Sequence, residues 1–490
     1  MSHAGPAPDP GADAPIGIAE APPARRGHFG TLFDAVRGVS VDYTQIPIGR
    51  AIVLLAVPMV LEMGMESLFA ITDMFWVARL GKEATAAVGL TESLFALVYA
   101  VAIGLVMGTT ALVARRIGER DPEGADRGAV QAIVLGIVAA VPIAIFGHVY
   151  AADLLGLMKA DPEVIRVGAG FTRTLFTANA TVMLLFVINA VFRAAGDASV
   201  ALRVLIVANV INMVLDPLLI YGIGGFPELG VTGAAVATTI GRGSGVLLQL
   251  VLLARGRGRI RIRRDHLRLD PPALGILARL SAPAVLQFII NTASWTGIVR
   301  ILSDFGTDAV AGNMVGIRIV MFALLPSWGM SNAAATMVGQ NLGAKRPDRA
   351  ERSVWIAGFY NMIFLGVVGL AFVLFARQIV AGFLGSGATQ NAAELEYGTE
   401  CLRTIAFGFV FYAYGMVFGQ AFNGAGDTWT PTWMNLGCFW LLEIPLAWLL
   451  SHPAGMGPRG VFIAISIAFS TLALVGGLLF KTGRWKTRKV

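Results

Sequence analysis

Twelve long apolar runs leave this chain few ways to fold. A helix needs about 20 mostly apolar residues to cross a bilayer. Such runs occupy 50–79, 85–113, 128–150, 167–192, 200–222, 231–254, 273–303, 308–337, 353–376, 398–421, 430–450 and 459–480. The composition agrees: of 490 residues, 56% are hydrophobic and 14% charged, against roughly 25% charged in soluble domains. Mean hydropathy is +0.70. Cys401 and Cys438 build no disulfide framework, and five scattered His make no metal cluster. A soluble domain, a disulfide-stapled secreted protein and a disordered chain are excluded. The sequence predicts an all-α membrane protein of twelve transmembrane helices.

Between these runs lie the basic residues. Arg115, Arg116, Arg120 and Arg127 follow the second run, and Arg193 and Arg203 follow the fourth. Seven Arg between Arg255 and Arg268 follow the sixth, Lys345 to Arg352 follow the eighth, and a basic tail follows the last. The opposite loops hold few. This asymmetry predicts an even number of spans with both termini cytoplasmic. It also directs the net charge of +7 to an anionic membrane surface rather than to nucleic acid. The Arg-dominated basic content suggests a bacterial source, hence the cytoplasmic (inner) membrane. Residues 1–28, rich in Pro, Ala and Gly, read as a disordered tail. Phe29, Leu32, Phe33 and Val36 recur at helical spacing, with Asp34 and Arg37 off that face. They predict a short interfacial helix over 29–41 within an interfacial segment 29–49.

The chain repeats itself. Leu55 and Pro58 recur as Leu280 and Pro283, Gly81 as Gly306, Gly118 as Gly343 and Arg127 as Arg352, all at one constant offset. Phe192–Asp197 recurs as Phe422–Asp427, Pro217 as Pro445, and Gly230 with Gly233 as Gly457 with Gly460. The repeat predicts an N-lobe over 50–254, a basic linker over 255–272, a C-lobe over 273–481 and a tail over 482–490. Six spans per lobe enter the membrane the same way. The pseudo-twofold axis therefore lies along the membrane normal, and a substrate site is expected between the lobes.

Acidic groups inside spans are costly and mark function by default. Glu62, Glu66 and Asp73 fall on one face of the first span, and Asn212 and Asp216 fall one turn apart on the fifth. Pro58, four residues before Glu62, removes a backbone hydrogen bond and makes a bendable point. A carboxyl group in poorly hydrated surroundings favours its neutral form. Asp73 facing Asp216 would therefore make a proton-exchanging site. With amide and hydroxyl oxygens added, the same cluster would hold sodium. Glu62 and Glu66 read either as cavity acids or as partners of an Arg. Glu443, one residue off the repeat position of Asp216, leaves a second acidic site in the C-lobe open, and Glu92 also lies in apolar context. Plentiful Met, Phe and Trp permit a greasy cavity. No P-loop, no H-E-x-x-H and no nucleotide fingerprint is present. The chain reads as no enzyme, with no cofactor beyond H+ or Na+ as coupling ion.

These residues resemble the multidrug and toxic compound extrusion (MATE) family over about 50–481. The resemblance rests on Pro58 with Asp73, Phe192–Asp197, Asn212 with Asp216 and Pro217, Gly233–Thr238, Val338–Gly343 and Asn423–Asp427, in that order. It implies a monomeric secondary active antiporter that exports amphipathic, often cationic compounds in exchange for H+ or Na+. It implies a cation site of Asp73, Asn212 and Asp216, joined by Asn189 and Thr238, with Pro58 as the hinge of the first helix. The seventh and tenth spans lack the mid-membrane carboxylates of some sodium-coupled relatives, since Asp304 and Glu400 lie at span ends. A lipid-linked precursor flippase is the alternative, and it would want a basic cavity.

Overall fold

Hydrocarbon offers no partner to a peptide group, so each apolar run must close its own backbone hydrogen bonds. The computed structural model describes residues 28–39, 41–256, 258–385 and 392–490. Among these, every regular element is a helix. The tail 1–28 lies outside the described residues except for its last. The N-lobe comprises α2 (Ile48–Val77), α3 (Lys82–Gly118), α4 (Pro122–Val149), α6 (Pro162–Thr177), α7 (Asn179–Ala195), α8 (Ala198–Tyr221) and α9 (Val231–Arg255). The C-lobe repeats this with α10 (Pro271–Leu302), α11 (Thr307–Gly343), α12 (Pro347–Leu384), α13 (Ala392–Ala406), α14 (Phe409–Gly424), α15 (Trp429–Asn435), α16 (Ile444–Ser451) and α17 (Pro458–Lys481). Short helices α1 (His28–Arg37) and α5 (Ala151–Leu157) stand outside the spans. Twelve spans result, two of them bent pairs.

Three local expectations are corrected. The fourth and tenth spans read as continuous, yet α6 meets α7 at 43° and α13 meets α14 at 62°. At the first break, Asn179 donates to the carbonyl of Phe176 (2.7 Å) in its own span and to that of Ala140 (3.1 Å) in α4. Gly408 sits at the second break. The interfacial helix ends at Arg37 rather than Val41, and Asp34 is buried against Arg50 at 3.5 Å while Phe33 points outward. In the eleventh span a π-helical stretch, Leu436–Glu443, joins α15 to α16, whereas its counterpart α8 is α-helical throughout.

Across the lobes, α3 packs on α10 and α2 on α11. The tightest approach is at the end that carries the arginines. A Cβ on Gly118 would lie 2.0 Å from the Gln340 carbonyl oxygen, and one on Gly343 would lie 2.2 Å from that of Arg115. Gln340 donates to Ala194 O at 2.8 Å. Both chain ends strap the same seam. Tyr43 donates to Gly196 O of the N-lobe (3.0 Å), while Arg346 and Arg349 of the C-lobe donate to the carbonyls of Thr44 (2.8 Å) and Tyr43 (3.1 Å). Arg115 donates to Arg488 O (3.0 Å), and the Arg488 guanidinium pairs with Asp427 at 3.3 Å. The linker is pinned too: the amides of Arg259 and Arg261 donate to Asp197 and Asp126, each at 2.9 Å. Toward the other end, Glu92 of α3 and Arg318 of α11 are exposed and feel each other's charge without an ion pair among the described residues.

Candidate cation site and its surroundings

The fifth and sixth spans come close because Gly241 has no side chain; a Cβ there would lie 2.8 Å from Ala208 O and 2.9 Å from the Asn212 Cβ. That approach delivers Thr238 to Asn212. The Asn212 amide donates to Asp216 Oδ1 (3.1 Å) and points at Thr238 Oγ1 (3.4 Å). Asp216 is fully buried, Asn212 1% exposed and Asp73 9% exposed. The Asp73 and Asp216 carboxyls are near enough for their charges to act on one another. Asp73 Oδ1, Asn212 Oδ1 and Asp216 Oδ2 are all buried and lack a hydrogen-bond partner among the described residues. Three unsatisfied oxygens beside a hydroxyl are what a proton or a small hard cation would satisfy. Asp73, Asn212, Asp216 and Thr238 thus share one neighbourhood.

Asn189 is placed elsewhere. Its amide donates to Glu62 Oε1 (3.0 Å) and its oxygen accepts from Gln249 (2.6 Å). Arg193 donates to the same Glu62 oxygen at 2.6 Å, with both side chains nearly inaccessible. One turn along α2, Glu66 meets Arg242 at 3.1 Å, and that guanidinium lies over the Phe69 ring at 4.6 Å. Of the two readings open for these glutamates, the geometry has each paired with an arginine. Arg242 also acts on Asp73, and Glu92 adds a further negative charge there. Asn209, unnoticed in the sequence, donates to Met65 O at 2.8 Å and ties the fifth span to the first just above Glu66. Pro58 lies within α2, which runs unbroken from Ile48 to Val77. In the C-lobe, Glu443 is 2% exposed and makes no hydrogen bond or ion pair among the described residues.

Comparison with known proteins places these groups in context. The MatE family model matches residues 58–218 and 283–449, one segment in each lobe. The chain is 27% identical to the probable multidrug resistance protein YoeA of Bacillus subtilis over 90% of its own length and 95% of that protein's. It is 26% identical to the FAD transporter of Shewanella oneidensis, covering 86% of this chain and 92% of the relative. A solved outward-facing multidrug resistance MATE family transporter of the MOP superfamily superposes with a TM-score of 0.84 at 27% identity, covering 95% of this chain and all of that one.

Proposed function

The chain belongs to the MatE family, and from that premise we propose a secondary active exporter that moves drug-like compounds across the cytoplasmic membrane against an inward flow of H+ or Na+. Several of its relatives are probable multidrug resistance proteins, and multidrug efflux is the activity they support. The observation that carries the coupling step is the group of orphaned oxygens on Asp73, Asn212 and Asp216. A cation arriving there screens two carboxylates on different helices, α2 and α8, and draws the helices together. Loss of the cation releases them. Pro58 removes one hydrogen bond from α2 between this site and the arginine-rich end, which makes α2 the pliable member of the pair. With both termini cytoplasmic, the closed end faces the cytoplasm and the cation site loads from outside.

A flippase of lipid-linked precursors finds less support. Such cargo wants free cationic groups in the membrane interior, and Arg193 and Arg242 are each committed to a glutamate. The deciding experiment is drug efflux from proteoliposomes under an imposed pH gradient, then under an imposed sodium gradient. Acceleration by one gradient identifies the coupling ion. Export indifferent to both, and to their reversal, would sink the antiport reading.

A further inference from the structure

A basic cavity of about 390 Å3 opens at the arginine-rich end, between the start of α2 in the N-lobe and the start of α12 in the C-lobe. Ile48, Lys345, Arg346, Arg349 and Arg352 line it, and among the described residues Asp348 is its one lining acid. Asp348 is taken by Lys486 at 3.5 Å, and Asp42, whose charge reaches Arg349, is spent on Thr44 and Gln45. Arg346 and Arg349 use part of their donors on the Thr44 and Tyr43 carbonyls. Arg349 keeps an Nε–H that is buried without an acceptor. Lys345 and Arg352 are exposed, and their side chains have no partner among the described residues. Four cations gathered around one cavity repel one another, and a group of opposite charge among them relieves that cost.

The internal repeat provides a contrast. The matching corner of the N-lobe has Asp121 and Gly124 where the C-lobe has Arg346 and Arg349. Its cavity, lined by Arg116, Arg127, Asp121 and Asp270, balances its own charge, and Arg127 is paired with Glu123 at 3.0 Å. The excess of positive charge belongs to the C-lobe copy. The helix beneath that copy narrows the ligand. Arg352, Phe359, Ile363, Leu370 and Leu374 recur at helical spacing and fall on one face of α12, and all are exposed. The cavity therefore stands at the head of an apolar stripe that faces hydrocarbon. A free anion would use the cations and leave the stripe idle, whereas a phospholipid uses both. A zwitterionic lipid brings an ammonium that the four cations repel. Guanidinium forks match phosphate oxygens, and basic pockets between helices at headgroup depth hold anionic lipid heads. We propose that this cavity is the headgroup site of an anionic phospholipid, whose acyl chain lies along the outer face of α12 and whose phosphate joins the two lobes at their closed seam. The site stands apart from the export reading and does not depend on it.

Native mass spectrometry of the purified full-length protein, delipidated and then offered phosphatidylglycerol or phosphatidylcholine, tests it. Phosphatidylglycerol is expected to be retained at least tenfold more than phosphatidylcholine. Changing Lys345→Gln and Arg352→Gln together removes two unpaired surface cations without touching the contacts to Tyr43 and Thr44, and should abolish that preference. Arg127→Gln, at the repeat position of Arg352, should leave it intact. A phosphatidylglycerol carrying a photoactivatable acyl chain reads the site in the unaltered protein, and its cross-links should fall between Phe359 and Leu374. Equal retention of the two lipids, an equal loss in Arg127→Gln, or cross-links confined to other helices overturns the proposal. Displacement of bound phosphatidylglycerol by an equal concentration of inorganic phosphate overturns it too, since the cavity would then serve a free anion.

Discussion

At the scale of single residues, the acids of the first span divide into two kinds. Glu62 and Glu66 are each tied to an arginine, whereas Asp73 keeps a buried oxygen free beside the equally unsatisfied Asp216. Neutralising Asp73→Asn or Asp216→Asn should reduce cation-driven drug efflux to background while the protein still elutes as a folded species from size-exclusion chromatography. Retained efflux in both variants would show that neither carboxyl carries the coupling ion. Glu62→Gln should behave differently. It leaves Arg193 buried without its counter-charge, a loss of about 3–5 kcal/mol. Pairing it with Arg193→Met should recover most of the lost thermal stability, a cycle read directly from melting temperatures. The sequence exposed the carboxylates because ionisable groups are rare in apolar runs. It could not assign their partners, since Arg193 lies 131 positions from Glu62 and nothing local encodes that meeting. Asn189 illustrates the limit: its residue type suited the cation site, yet the face of α7 it occupies looks at Glu62 and Gln249 instead.

At the scale of elements, hydropathy located all twelve spans but not their interior shape. Length and apolarity report only that a segment crosses. The break in the fourth span turns on Asn179, a residue with no helix-breaking reputation. It works by capturing carbonyls from its own span and from α4. Asn179→Leu should remove both side-chain hydrogen bonds and lower stability by about 1–3 kcal/mol, with the largest rise in hydrogen–deuterium exchange between Phe176 and Val182. An unchanged exchange pattern there would mean the bend is held by packing alone. The equivalent break in the tenth span did carry a signal, Gly408, which a search for helix punctuation inside apolar runs would have caught. The π-helical turns of the eleventh span, packed against α10 and α17, left none.

At the scale of the whole molecule, the internal repeat made the two lobes legible, since repeated Pro, Gly and turn motifs survive at fixed spacing. The closure of the arginine-rich end was not legible. It is made by arginines bonding backbone carbonyls, and carbonyls have no sequence signature. Arg349→Ala and Arg115→Gln each remove one strap from this seam. Each should raise the rate at which a water-soluble maleimide labels a cysteine placed at Gln340, measured from the side of the arginine-rich end; the natural Cys401 and Cys438 are buried. A labelling rate equal to that of the parent would show that the straps do not hold the gate. The contact of bare glycine backbones at Gly118 and Gly343 has its own corollary. One methyl group at each position acts as a wedge that the opposite fold state never meets, so the doubly alanine-substituted chain offers a way to capture the half of the transport cycle in which this doorway stands ajar.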